Sequence, residues 1–343
     1  MITLQQQFEL QPHNCLRLQS RAAHYGSAAD IASLQAAIDY ARQKKLSLLP
    51  LGEGSNVVLD QLPNTLVVDI ALRGIALLSE SDSEVLVEVA AGENWQQWIC
   101  RCLAEGWHGL ENLALIPGRV GAAPIQNIGA YGSEVGDYIE SVKILRRDDG
   151  GAQTLSREDC QFGYRNSIFK CQLGEKVIIT AVSFRLQKHY RPQLSHPALC
   201  NYFDTEQLPS ASEMVAAVTK IRRDKLPDPA QTANVGSFFK NPKIAAEQFA
   251  ALSSRHPDMP YYHSASDDLY KIPAAWLIEH CGYRGKRCGN LGMHDRQALV
   301  LVNYDDGERA SCASEVLAFA AEVNAAVKKC FGLSLEIEPL CYP

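Results

Sequence analysis

With 343 residues, 46% of them apolar and 21% charged, the chain has the size for about two to three domains and an ordinary globular composition. Its 33 basic and 39 acidic side chains leave a net charge of −6, which argues against a nucleic-acid or anionic-membrane partner, because such partners demand a basic excess. No apolar stretch approaches the ~20 residues of a membrane span, the first ten residues lack a basic n-region and an apolar h-region, and eleven cysteines without a C-x-x-C pair read as reduced thiols of a cytoplasmic protein with no zinc site.

In chain order, residues 30–45 place Ile31, Leu34, Ile38 and Ala41 at helical spacing and predict an amphipathic helix. Residues 46–51 predict a strand, G-E-G-S-N (52–56) a turn, and 57–59 the start of another strand. Strands are also expected at 66–69 and 85–90, the latter alternating only loosely and therefore buried on most of its surface. Residues 95–105 predict a helix. Residues 117–132 (P-G-R-V-G-A-A-P-I-Q-N-I-G-A-Y-G) then hold four glycines and two prolines, with no helical or strand period and little charge. Such backbone turns sharply and admits close approach, as suits a bulky planar ligand rimmed by Gln126, Asn127 and Tyr131.

Beyond it, strands are predicted at 142–145 and 177–186, and a polar, proline-broken loop at 187–208. A helix at 212–224 is stopped by Pro227 and Pro229. A second glycine-containing loop occupies 231–242. Helices follow at 244–254, 274–281 and 310–329, with strands at 298–303 and 333–337. The mixture predicts an α+β chain with a boundary near residues 225–233.

Several stretches carry possible chemistry. G-E-G-S-N alone reads first as an ordinary turn, such short glycine patterns being common, and second as a diphosphate cradle built from Gly52, Gly54, Ser55 and Asn56. Arg165, in F-G-Y-R-N-S-I-F-K, is either a structural arginine or a carboxylate clamp. Arg222 and Lys225 share a helix face, where they meet an anion or merely complement the helix end. Ser237, in N-V-G-S-F-F-K-N-P, is a turn serine or a proton donor whose alkoxide a cation stabilises. In a strand, Glu336 and Glu338 would project to one face.

The order of these stretches, with E-N-L-A-L-I-P-G before the glycine run and K-L-P-D-P before G-S-F-F-K-N-P, closely resembles the UDP-N-acetylenolpyruvoylglucosamine reductase family over essentially the whole chain. The resemblance implies a two-lobed FAD-binding domain of the vanillyl-alcohol-oxidase (PCMH) type over 1–188. Its lobes would be about 1–73 and 74–188, extended to about 225 by the loop and helix of the type I form. It also implies a C-terminal α+β domain over 226–331 that binds the UDP-sugar, and a strand at 332–343 returning to the first lobe. FAD, held non-covalently, would lie against Gly52, Gly54, Ser55, Asn56, Pro117, Gly118, Gly121, Gln126, Asn127, Gly129 and Ala130.

The implied activity is NADPH-driven, ping-pong reduction of UDP-N-acetylglucosamine enolpyruvate to UDP-N-acetylmuramate, in a cytoplasmic monomer. Arg165, Ser237 and Glu338 would be catalytic. Tyr131, Tyr164, His196, Arg222, Lys225, Asn241 and Gln297 would bind the substrate. His196 stands where the family loop carries a tyrosine, so affinity is expected to rise as pH falls toward about 6. The competing readings are another PCMH-type flavoprotein oxidase, which has no use for a Ser237 acid, and a non-catalytic UDP-sugar-binding protein.

Overall fold

The computed structural model describes residues 2–203, 207–264, 268–304 and 309–342. The chain forms two compact units. One comprises Met1–Phe8, Ala22–Glu53 and Pro63–Asp224, the other Glu9–Arg21, Gly54–Leu62 and Lys225–Pro343.

In the first unit, the helix Ile31–Lys44 starts where Asp30 and Ser33 close a capping box. Asp30 Oδ1 accepts from the Ser33 N–H at 2.6 Å, and the Asp30 N–H donates to Ser33 Oγ at 3.2 Å. Leu34, Ala37, Ile38 and Ala41 form its buried face. Strands Ser47–Leu51 and Leu62–Ile70 pair in parallel within a four-stranded sheet. A five-stranded antiparallel sheet has the order Ala152–Ser156, Ile139–Arg146, Val177–Gln187, Glu84–Ala90, Ile75–Glu80. Its central strand is buried at nearly every position, as expected of a strand covered on both faces.

Glu84–Ala90 corrects the sequence expectation. Val85, Val87 and Val89 are buried and the residues between them half-exposed, so its alternation is strict and only one face is dry. The helix Trp95–Glu105 is capped by Asn94 and ends at Gly106 with φ +69°. Trp95 and Trp98 bury their rings in the core, and the Trp95 indole donates to the Leu113 carbonyl at 3.0 Å. The expected loop at 187–208 holds a short helix, Pro197–Cys200, with proline in its first turn. Residues 204–206 of that loop lie outside the described residues.

The second unit is built around the helix Ala313–Phe331, which buries Val316, Phe319, Val323, Val327 and Phe331. An antiparallel sheet runs Ala233–Ser237, Val300–Asn303, Leu291–Met293, Arg287–Cys288. Three elements depart from expectation. The stretch 231–242 contains the strand Ala233–Ser237, whose register slips between Asn234 and Ser237 and so hides its period. The helix expected from 244 is preceded by the strand Lys243–Ala245 and begins at Ala246.

Residues 333–337 are not a strand. Leu333 and Leu335 are buried, yet only Ile337 bridges to a neighbour, Phe239. Among the described residues the segment's pairing is limited to that bridge, made by the Lys240 N–H to Glu336 carbonyl and Glu338 N–H to Phe238 carbonyl bonds, which is too short to be a ladder. The terminal strand is instead Leu340–Tyr342, parallel to Val57–Leu59. Among the described residues, no helix is long and apolar enough to cross a membrane.

Candidate active site

The glycine run of the first unit is tied down by its own backbone. The Gly118 N–H donates to Glu53 Oε2 at 3.0 Å, and Glu53 Oε1 accepts from Asn94 Nδ2 at 2.8 Å. Arg119 turns back onto Asp69 Oδ1 at 2.6 Å and onto the Ile70 carbonyl. The Gly121 N–H donates to the Ala91 carbonyl at 2.9 Å, and a Cβ on Gly121 would lie 2.5 Å from that of Ala91. The Gly118 and Gly121 amides are thus engaged inside the protein, and the bareness of Gly121 answers to packing. Gly52 differs. A Cβ there would meet nothing nearer than the Arg119 side chain at 3.8 Å, so packing leaves room for a ligand against that turn, which fits FAD. Pro117 is exposed, and Gln126 and Ala130 are half-buried.

After the run, Gly129–Ala130 and Ser133–Glu134 pair across a two-residue turn with Tyr131 at φ +49° and Gly132 at φ +84°. Positive φ at both central positions matches the twist of a tight hairpin, but it is a strained conformation for a bulky aromatic residue. Asn112, buried, holds the turn: its Nδ2 donates to the Tyr131 carbonyl and to the Gln193 carbonyl, each at 2.9 Å. The loop bearing His196 therefore sits on this turn. The His196 ring meets that of Tyr131 edge-on at 5.1 Å. His196 Nδ1 accepts from the Ala198 N–H at 3.1 Å. That contact needs an unprotonated Nδ1, so protonating the ring would forfeit the cap, which opposes the pH expectation.

Two of the expected substrate groups, Tyr131 and Arg222, lie within electrostatic reach of each other here, and the expected catalytic Arg165 acts on Arg222. Arg222, on the helix Ala211–Lys225, has its Nε buried with no hydrogen-bond partner among the described residues. Burial lowers its pKa, the Tyr131 phenol counters that shift, and the like charge of Arg165 adds to it. Burial likewise raises the Tyr131 phenol, against the pull of Arg222. Arg165 has φ +51° in the turn between Gly163 and Asn166, donates Nη2 to the Gly129 carbonyl at 2.6 Å, and lies beside the Tyr164 ring. Two guanidinium groups and a phenol that feel one another's charge, one of them with an orphaned donor among the described residues, offer the partners an anion needs.

Asn127, expected beside the flavin, has its side-chain amide engaged within the first unit. It is 2% exposed, its Nδ2 donates to Glu134 Oε2 at 2.7 Å and to the Gly163 carbonyl at 3.1 Å, and its Oδ1 accepts from the Gly136 N–H at 2.8 Å. Glu53, Asn112 and Glu134 escaped the sequence reading. Each is a polar residue in a glycine-rich or capping context, where a solvated side chain is the ordinary assumption.

In the second unit, Gly54 is buried against the backbone of His13 and Asn14 and belongs to the unit's own packing. Ser55 and Asn56 are half-buried, and the Asn56 carbonyl accepts from the Leu340 N–H at 3.1 Å. Lys225 is exposed at its helix end. Ser237 ends the strand Ala233–Ser237 just after Gly236 at φ +73°. Asn234 shapes this bulge: Oδ1 accepts from the Gly236 N–H at 2.9 Å, and Nδ2 donates to the Thr232 and Pro227 carbonyls at 2.8 and 3.2 Å. Phe238 and Phe239, fully buried, anchor the next two residues.

The two carboxylates expected on one face separate. Glu338 is 8% exposed and donates its N–H to the Phe238 carbonyl at 2.9 Å, beside Ser237. Glu336 faces solvent and pairs with Lys240. Asn241 Oδ1 accepts from the Ala274 N–H at 2.8 Å at the start of a helix, and Gln297 Oε1 accepts from the Leu299 N–H at 3.4 Å. The Gln297 turn is braced by His294, whose Nδ1 accepts from the Arg296 N–H at 3.3 Å.

Comparison with known proteins gives two domain matches. An FAD binding domain matches residues 22–156, and the C-terminal domain of UDP-N-acetylenolpyruvoylglucosamine reductase matches residues 228–342. The chain is 45% identical to the UDP-N-acetylenolpyruvoylglucosamine reductase of Chromobacterium violaceum over 335 residues, covering 97% of each. It is 40% identical to that of Pseudomonas aeruginosa over 343 residues, covering 99% of each. The crystal structure of UDP-N-acetylenolpyruvylglucosamine reductase from Thermus caldophilus shares the fold at 22% identity, with a TM-score of 0.68 and full coverage of both chains.

Proposed function

The chain belongs to the UDP-N-acetylenolpyruvoylglucosamine reductase family, and from that premise we propose that it reduces UDP-N-acetylglucosamine enolpyruvate to UDP-N-acetylmuramate with electrons from NADPH, in two half-reactions at one site. FAD, when bound, supplies a carrier that accepts hydride from NADPH and returns it to the enolpyruvyl carbon chain.

The chain's own residues handle charge and protons. Arg165 presents a planar fork to the substrate carboxylate and stabilises the negative charge that grows there during reduction. Ser237 gives a proton to the carbon next to that carboxylate. Its half-buried side chain follows the bulge that Asn234 shapes, and its hydroxyl needs cationic help to leave a transient alkoxide. Glu338 acts with Arg165 to polarise the enolpyruvyl group. Arg222, Lys225, Tyr131, Tyr164, His196, Asn241 and Gln297 hold the diphosphate and sugar. Asn241 contributes through Nδ2, because its Oδ1 is engaged.

The observation that carries this reading is the buried Nε of Arg222, unpartnered among the described residues and within the fields of Arg165 and Tyr131, a cation set that an anionic substrate completes. The test is an anaerobic titration of the yellow holoenzyme. NADPH bleaches the flavin, and one equivalent of the enolpyruvyl nucleotide restores it. Bleaching that only oxygen reverses would identify an oxidase instead, and a colourless protein a binding module.

A further inference from the structure

Arg165 is aimed by a polar clamp that no part of the mechanism above uses. Its turn is closed by reciprocal backbone hydrogen bonds between Gly163 and Asn166, each at 3.0 Å. The base of that turn, the Gly163 carbonyl, accepts from Asn127 Nδ2. The same Nδ2 donates to Glu134 Oε2, while Asn127 Oδ1 takes the Gly136 N–H. Both donor hydrogens and the acceptor of this buried amide are thereby satisfied.

The tip of the turn is held separately. Arg165 Nη2 donates to Gly129, two residues beyond Asn127 and within the strand that pairs with Ser133–Glu134. A Cβ on Gly129 would lie 2.9 Å from Arg165 Nη1 and 3.1 Å from Glu134 Cγ. Both therefore flank one point and stand no more than about 6 Å apart. One short hairpin thus fixes the turn of Arg165 at its base through Asn127 and at its tip through Gly129, with Glu134 holding the Asn127 amide. Arg165 is in the left-handed region, which persists only where the surroundings over-determine it.

We propose that Asn127 and Glu134 are positioning residues for Arg165: they set the direction of its guanidinium toward the substrate carboxylate, and Asn127 is not a ligand of the flavin. This rests on the functional reading above. In Glu134→Ala, Asn127 keeps its place but loses a partner, and the turn loosens.

The test compares wild type, Asn127→Ala, Glu134→Ala and Glu134→Gln as holoenzymes. Glu134→Ala should retain wild-type flavin content and bleach with NADPH within about twofold of wild type, while reoxidation by the enolpyruvyl substrate slows by about tenfold or more, as small misplacements of a charge clamp do. Glu134→Gln, which keeps an acceptor for Asn127 Nδ2, should recover to within about threefold. Amide hydrogen exchange over residues 162–168, which needs no substrate, should quicken in Asn127→Ala and Glu134→Ala.

Loss of flavin from Asn127→Ala, equal slowing of both half-reactions, no rescue by Glu134→Gln, or unchanged exchange would each overturn the proposal. A wild-type enzyme that the nucleotide fails to reoxidise would sink the functional reading instead, and the exchange data would still judge the clamp.

Discussion

Gly121→Ala separates packing from ligand approach in the glycine run. The added Cβ would lie 2.5 Å from Ala91 Cβ and 3.1 Å from both Ala91 Cα and the Ala91 carbonyl oxygen. Carbon atoms rest ~3.5–4.0 Å apart, so the worst overlap is about 1 Å. No flexible side chain can give way. The two backbones are pinned by the Gly121 N–H to Ala91 bond and by the neighbouring Val120 N–H to Glu93 bond, both 2.9 Å.

Separation of the segments should cost about 2 kcal/mol, within the range for overpacked cores. For a unit of this size that lowers Tm by roughly 4–8 °C. Ala91→Gly in the same chain removes the 2.5 Å contact but not the two at 3.1 Å, so it should recover about half the loss, with a coupling of roughly 1 kcal/mol. Thermal unfolding of flavin-free protein, followed by circular dichroism, is the assay. If flavin-free Gly121→Ala melts with wild type while flavin affinity alone drops, the packing argument is refuted and the glycine serves ligand approach.

Three further outcomes are expected. Ser237→Ala should leave bleaching by NADPH intact and slow reoxidation by the substrate ~10²–10⁴-fold, the span of general-acid contributions; unaltered reoxidation in stopped flow would remove serine as the acid. Arg222→Met should raise the stability of the substrate-free protein by about 1 kcal/mol, because a buried unpaired donor disappears, while the substrate KM rises by roughly tenfold or more; denaturant midpoints and initial rates check both halves. Burial holds the His294 imidazole below its ordinary 6.5, with Asp295 opposing and Arg296 adding to the shift. The unfolded chain then binds a proton that the folded chain refuses. Stability should fall as pH drops below about 6.5, by less than ~1.4 kcal/mol per unit, and the slope should lessen in His294→Gln on comparing urea midpoints at several pH values.

Local signals were legible where local physics governs. The helix Trp95–Glu105 is bounded by the Asn94 cap and the left-handed Gly106, both within one turn of its ends, and its span was read correctly. The segment 333–337 had the right alternation for a strand, but a strand also requires a neighbour, and only Ile337 finds one. The strand Ala233–Ser237 was missed for the opposite reason: Gly236 and the bulge break its period while Val300–Asn303 supplies the ladder.

The amino-acid order by itself determined the family, through motif succession, and the residue types available for binding an anion and moving a proton. Tertiary structure alone decided their surroundings. It separated the buried Glu338, whose N–H meets the Phe238 carbonyl, from the solvated Glu336 two residues away. It left the Arg222 Nε buried without a partner among the described residues, in the fields of Arg165 and Tyr131. It buried Asn127, expected at the rim, and engaged its side-chain amide with Glu134, the Gly163 carbonyl and the Gly136 N–H. Hydrogen-bond satisfaction and burial depend on what distant segments bring to each side chain, and no local pattern encodes that.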